Sequence, residues 1–303
     1  MTTAVDTGSV VVGVDGSEAN RAAVEWAVEE ARLHRRRLVL LGVGTGNTPA
    51  TPRSENLERD FREHQVLDLL TDLQSELTGR APEVDVQVET GEPSTALARA
   101  VQDGDVLVVG REGKGAVSRM VVGSTSIAVA GRASVPVVVV PAGWSQAGHA
   151  HHRVVAGIDG SDRDDAVLGA AFLRAFEHQA PLTVTCAWQL PALYTWSHTD
   201  IERWSSSGRI QLAQAVAPWS TRYPNVEVVL DSEAVDPAHA LLSDAADAQL
   251  LVLGRHTGPH HPGGLSFGST TRRVLHRTPC PVLVVPTHSP HAATGDPARE
   301  GPR

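Results

Sequence analysis

Between Gly110 and Ser126 the chain reads GREGKGAVSRMVVGSTS, with glycines at 110, 113 and 123 and hydroxyls at 124 and 126. Ahead of it, Val106 to Val109 has the composition of a short buried strand, and after it Ser124 to Ala130 reads as the first turns of a helix. Glycines let backbone amides approach an anion closely. A helix starting at Ser124 would aim unpaired N–H groups and the positive end of its dipole at the same point, so the stretch predicts a phosphate cradle built mainly from main-chain donors. Arg111 and Lys114 are expected to add charge. The competing account is a glycine-rich strand-to-helix loop that binds nothing.

Those residues need a scaffold, and the flanking sequence supplies one. Val10 to Val14 is a continuous apolar run ending at Asp15-Gly16-Ser17, followed by Ala22, Ala23, Trp26, Ala27, Ala31 and Leu33 at helical spacing. Arg35 to Arg37 read as a solvated helix end before the apolar strand Leu38 to Val43. Residues 44–56 read as loop. Leu57, Phe61, Val66, Leu69, Leu70, Leu73 and Leu77 then predict a long amphipathic helix, stopped by Gly79 to Pro82. Val84, Val86 and Val88 alternate with polar residues as an edge strand does, and Gly91 to Ser94 opens a helix through Leu97 and Val101. Val137 to Val140 closes the series. Strands alternating with helices imply an α/β fold with a parallel sheet covered on both faces.

The chain then repeats itself. HRVVAGIDGS at His152 to Ser161 matches Ser9 to Ser17 with Asp159 in the place of Asp15, an offset of 144 residues that also carries Val43 to Ala187 and Gly110 to Gly254. By Gly123 and Pro136 the offset is 145, reaching Gly268 and Pro281, so one residue has been inserted inside the second cradle. This predicts a duplicated domain rather than a solenoid: domains at 1–142 and 153–287, a linker at 143–152, and a disordered tail at 288–303. The second cradle reads RHTGPHHPGGLSF, with Gly258 displaced and Pro259 in place of Lys114. Its His256, His260 and His261 lack a companion Asp, Glu or Cys that would complete a metal site, and His149, His151 and His152 read as solvated. No metal site is expected. Trp188, Tyr194, Trp196 and Trp204 form an aromatic-rich crossover, read either as core or as a partner surface.

The glycine spacing fits neither common nucleotide fingerprint: no Walker sequence ends in Gly-Lys-Ser/Thr, and no Gly-x-Gly-x-x-Gly follows the first strand. Together with the Asp-ended strand SVVVGVD, it resembles the ATP-binding motif of the universal stress protein family. The resemblance covers both halves. It implies two Rossmann-like domains packed as an internal pseudo-dimer, each with five parallel strands in the order 3-2-1-4-5 and about four helices. It also implies an adenine nucleotide, ATP with or without Mg2+, in the crevice where the winding reverses. Carried over by position, the nucleotide-binding residues are Asp15, Val43, Gly110, Gly113, Gly123, Ser124 and Ser126. In the second half the counterparts are Asp159, Ala187, Gly254, Gly258, Gly268 and Ser269, where the altered middle leaves binding open. For Asp15 the plain alternative is a turn residue that caps the next helix.

Composition narrows the function classes. With 303 residues, 41% apolar and 20% charged, the chain has the length and make-up of two soluble domains. A net charge of -9 argues against a polynucleotide ligand, and the lack of an apolar leader predicts a cytoplasmic address with no membrane partner. The two cysteines, Cys186 and Cys280, read as isolated thiols. No nucleophile paired with a base is apparent, and the resemblance implies a nucleotide-dependent sensor or regulator of a stress or dormancy response. Cyclic AMP as ligand, slow ATP hydrolysis and a scaffold with vestigial cradles remain open. So does an ATP-using transferase, although VDGSE at Val14 to Glu18 lacks the phosphate loop such an enzyme needs. Partners beyond the nucleotide, an unknown protein or a second copy of the chain, are not specified.

Overall fold

The computed structural model describes residues 8–44, 52–113, 122–145, 153–161, 163–188, 198–256 and 268–287, with 52–60, 198–205, 207 and 256 as backbone only. The first half runs β1 (Val10–Val14), α1 (Arg21–His34), β2 (Leu38–Gly44), α2 (Pro52–Leu77), β3 (Val84–Thr90), α3 (Pro93–Ala100), β4 (Val106–Gly110), α4 (Ser124–Arg132) and β5 (Val137–Val140). The second repeats it as β6 (Val154–Ile158), α5 (Asp164–Glu177), β7 (Leu182–Ala187), α6 (His198–Arg222), β8 (Val228–Glu233), α7 (Pro237–Asp244), β9 (Leu250–His256), α8 (Ser269–Arg277) and β10 (Val282–Thr287).

The strands form one ten-stranded sheet in the order β3-β2-β1-β4-β5-β10-β9-β6-β7-β8. Each half is therefore the expected 3-2-1-4-5 sheet. Pairing is parallel within each half and antiparallel at the seam, where Val139, Val138 and Val137 oppose Val282, Leu283 and Val284. The inner strands are apolar throughout because both faces are covered. Val10, Val12, α1, Leu70 of α2, α5 and Leu212 of α6 pack one face, and Val11, α3, α4, α7 and α8 pack the other. Each core runs unbroken across the seam. At the outer edges β3 is half-buried along most of its length, whereas β8 exposes Val229 and Leu230.

Several local expectations need correction. The helix expected from Leu57 begins at Pro52, inside the stretch read as loop, with proline in the first turn where its missing N–H is harmless. Phe61, expected on the apolar face, is exposed. A 26-residue helix spans about 39 Å against about 23 Å for seven residues of β2, so the first turns of α2 overhang the sheet. Arg36 is not a solvated helix end. Its side chain is buried and its guanidinium donates to the carbonyls of Gly8, Ser9 and Gly104, tying the start of β1 to the turn before β4. Arg35 closes α1 in a left-handed conformation and Arg37 pairs with Asp85 across the surface. Trp144, assigned to the linker by sequence, is buried against the core. Cys186 and Cys280 are free thiols, each pushed up to about 11 by burial. The expected tail at 288–303 lies outside the described residues, as do Tyr194 and Trp196. No described helix is long and apolar enough to cross a membrane.

Candidate functional site

β1 ends at Val14, and Asp15 then turns the chain. Its Oδ1 accepts from the N–H of Ser17 at 2.8 Å, and Gly16 takes a φ of +72°, which a side chain would resist. So one oxygen of Asp15 serves the turn, while the short helix that follows is capped by Ser17, whose hydroxyl accepts from the Asn20 N–H. The other Asp15 oxygen faces across the crevice: a Cβ added at Gly113 would sit 3.1 Å from Asp15 Oδ2. A Cβ at Gly123 would lie 3.4 Å from the Arg111 carbonyl and 3.9 Å from the Gly113 nitrogen. Asp15 Oδ2, Gly113 and Gly123 thus border one small volume, into which a side chain on either glycine would intrude, while Gly110 faces Asn20 and Glu112.

Two anchors hold this arrangement. The Gly123 N–H donates to Arg111 O at 2.7 Å, and the buried Ser126 hydroxyl donates to Gly110 O at 2.6 Å. Asn20, which the sequence reading passed over, is buried beside them. Its Nδ2 donates to Gly13 O at 2.9 Å, and it would lie 3.4 Å from a Cβ at Gly110, so it braces the ends of β1 and β4. Val43 lies one residue beyond the last β1–β2 pair, Val14 with Gly42, and so borders the same crevice. Ser124 is exposed at the start of α4. Lys114 lies outside the described residues. Arg111, expected to add charge to the cradle, instead binds Glu112 Oε1 at 2.8 Å and the Thr278 carbonyl at 2.7 Å.

The helix ends differ in a telling way. In each half one helix carries its own anion: Glu92 caps α3 through the N–H groups of Ser94 and Thr95, and Asp236 caps α7 through His239. Hydrogen bonds from Ser94 and Thr95 hold the Glu92 carboxyl at about 2. By contrast, α4 and α8 begin at glycines, Gly123 and Gly268, and no described side chain caps them. Their first-turn amides are left for an outside acceptor.

The second half has a cavity of about 190 Å³ in the matching place. Asp159, Ala187, Gly254 and Gly268 line it, four of the six positions expected there; Ser269 opens α8, and Gly258 lies outside the described residues. At the position of Asn20 this half has Asp164, also in the wall. Its carboxylate accepts from the N–H groups of Asp159 and Gly160, and burial pushes its pKa up to about 6, with the Asp159 charge adding to the shift. Among the described residues the second crevice therefore adds a carboxylate, Asp164 in place of Asn20, and a cation, Arg163 in place of Ala19.

A family model, that of the universal stress protein family, matches the chain twice, over residues 7–141 and 151–286. The chain belongs to the universal stress protein family. A universal stress protein of Mycolicibacterium smegmatis is 34% identical over 289 residues, covering 91% of this chain and 96% of the relative. One of Mycobacterium tuberculosis is 29% identical over 299 residues, covering 91% and 94%. Among solved structures, a universal stress protein of Archaeoglobus fulgidus superimposes with a TM-score of 0.69 over 92% of this chain and 98% of its own, at 17% identity, and so shares the fold. Both tandem halves are universal stress protein domains.

Between the two domains lies a constellation the sequence reading did not assemble. Glu30 and His34 of α1 meet Arg174, Glu177 and His178 at the end of α5. Burial opposes the Glu30 charge, but Arg174, His178 and His34 hold its carboxyl well below the usual range. Glu30, His34 and His178 offer ligand atoms within 4.8 Å of one another, a spacing a metal ion could use. The guanidinium of Arg174 already occupies that position, bonded to Glu30 and 3.1 Å from His34 Nε2, so the cluster closes on an internal cation and works as an inter-domain clamp. The sequence shows Glu30 and His34 four apart and, at the 144-residue offset, Arg174 and His178 likewise, an acid in one half facing a base in the other.

Proposed function

We propose that the first crevice binds an adenine nucleotide, ATP, and that its occupancy biases the conformation or association of the chain, making it a nucleotide-dependent regulator of a stress or dormancy response. The observation that carries this reading is the convergence of Asp15 Oδ2, Gly113 and Gly123 on the uncapped end of α4. A phosphate chain fits there for a physical reason: it supplies the acceptors that the first-turn amides lack, and the glycines admit it to contact distance. Asp15 would accept from a ribose hydroxyl, the backbone of Val43 would border the base, and Gly110, Gly113, Gly123, Ser124 and, through its N–H because its hydroxyl is bound to Gly110 O, Ser126 would hold ribose and phosphates. The nucleotide regulates only if it binds one conformation better than another. The role assigned to the chain is binding, with no bond-breaking step. At the second crevice, Asp159, Ala187, Gly254, Gly258, Gly268 and Ser269 would hold nucleotide weakly or not at all, because the inserted residue displaces Gly258 and Pro259 restricts the backbone where Lys114 stands in the first.

The test is to purify the protein, denature it and identify released nucleotide by mass spectrometry, with Gly123→Asp as the control. One ATP per chain, absent from the variant, is the expected result. Release of cyclic AMP would change the ligand, and two nucleotides per chain would overturn the asymmetry. No nucleotide, with none taken up on adding ATP, would leave an interaction scaffold as the better reading.

A further inference from the structure

Arg111 and Arg255 follow the crevice glycines Gly110 and Gly254 at the 144-residue offset, and each reaches into the opposite domain. Arg111 Nη1 donates to the carbonyl of Thr278, the residue that closes α8. Arg255 donates to the carbonyls of Gly131 and Ala133, where α4 closes. Thr278 and Ala133 are themselves counterparts, at the offset of 145. The exchange is reciprocal. Each arginine places a cation on the negative end of the other domain's helix, and Arg255, at 5% exposure, does so in the protein interior.

The opposite ends of these two helices are the crevice walls. α4 starts at Gly123 in the first crevice, and α8 starts at Gly268 in the second. The arginines are also fixed to the crevices through their own backbones. Gly123 N–H donates to Arg111 O, and the Thr287 hydroxyl, in the wall of the second cavity, donates to Arg255 O at 2.7 Å. A further strut joins Val122 N–H to His276 Nδ1 at 3.3 Å, linking the approach to Gly123 with the last turn of α8. A nine-residue helix is about 13 Å long and internally hydrogen-bonded, so a displacement at one end carries to the other rather than dissipating.

We propose that the two crevices are allosterically coupled through this crossed pair, α8 carrying the state of the first crevice to the second and α4 carrying the second to the first. The inference rests on the reading that the first crevice takes ATP, and it names how that site is regulated. Linkage makes the effect mutual: whatever factor ATP in the first crevice imposes on the second, a ligand in the second imposes on ATP. A coupling on the order of ten-fold in affinity is the ordinary size for such a device.

Hydrogen–deuterium exchange on the full chain tests this, with and without saturating ATP, in the wild type and in Arg111→Met and Arg255→Met. In the wild type ATP is expected to slow exchange in the first turn of α4 and to alter it at Arg272 to Val274, the first hydrogen-bonded amides of α8. In Arg111→Met the response of α4 persists and that of α8 falls several-fold. If the α8 response survives Arg111→Met, ATP acts there directly and the coupling is overturned; a wild type in which α4 responds alone overturns it too. The ligand-free arm is independent of nucleotide binding. Arg255→Met is expected to speed exchange at Ile127 and Ala128, the first hydrogen-bonded amides of α4, while α3 stays at its wild-type rate. Change confined to the amides around Ala133 overturns the proposal, and a general rise that includes α3 reports a folding defect and overturns it as well. Should ATP protect neither helix, the nucleotide reading fails while this arm still decides the coupling.

Discussion

The two crevices share a backbone and differ in their ionisable groups. Asp15 and Asp159 occupy one position, but the residue five along is Asn20 in the first and Asp164 in the second. Asn20 donates to a strand carbonyl and Asp164 accepts from two amides, so each closes the same turn by opposite hydrogen-bond logic. A fold can thus keep its geometry while exchanging a neutral brace for an ionisable one, and the exchange alters what the crevice attracts. The anchoring of the first strand differs in the same manner. In the first domain Arg36 reaches back from the end of α1 to Gly8, Ser9 and Gly104, whereas its counterpart is Ala180. The second domain anchors from the other side: Arg153, the counterpart of Ser9, reaches Asp244 O and Asp247.

The largest expected effect separates the glycines. Gly113→Val drives a side chain against Asp15 Oδ2 and should weaken ATP binding about 100-fold or more in calorimetry while the chain stays folded. Gly254→Ala should act differently, because its Cβ would meet Val167 at 3.0 Å and Thr287 at 3.2 Å; overpacking of this kind costs about 1–3 kcal/mol of stability. If Gly254→Ala is thermally neutral, the second crevice is looser than the structure indicates.

Removing Arg36 strands carbonyls at the start of the sheet. Arg36→Met should cost about 2 kcal/mol in urea unfolding, and Arg153→Ala, whose ion pair is largely exposed, less than about 1 kcal/mol. Equal losses would mean that the two anchors are interchangeable. A smaller effect tests the extra carboxylate. Because the folded Asp164 titrates near 6 and an unfolded Asp near 4, the folded chain holds more protons between these values, so its stability falls as pH rises through that window. Asp164→Asn should remove this fall, seen as urea midpoints that no longer drop between about pH 4 and about pH 6, and should raise any ATP affinity of the second crevice by about ten-fold. An unchanged pH profile would place the titration elsewhere.

Much of this was legible because local pattern and tertiary role coincide. Val10–Val14 and Val106–Gly110 are continuous apolar runs since both faces of a parallel sheet are covered, and the start of α4 at Ser124 follows from the glycine before it. The offset between the halves then fixed which residues correspond. What failed depends on a third element. Arg36 looks like one of three solvated cations until β1 and the turn before β4 close over it. Arg111 looks like a phosphate ligand until Thr278, 167 residues away, presents a carbonyl. Asn20 carried a signal after all, since its counterpart is an acid at the same helix start. The Glu30–Arg174 clamp spans 144 residues, and no pattern within either domain predicts that α1 and α5 should meet.

The two domains are joined edge to edge at the antiparallel seam between β5 and β10. Two separate chains joined at such an edge would part on dilution, and their symmetry would force any change in one crevice upon the other. Within a single chain the partner is always present, at an effective concentration on the order of millimolar, so the pairing does not depend on how much protein the cell makes. Each domain is then free to drift under its own selection. Every molecule, however scarce, is born with one crevice of each kind, a fixed one-to-one stoichiometry that a mixture of separate subunits could reach only by chance.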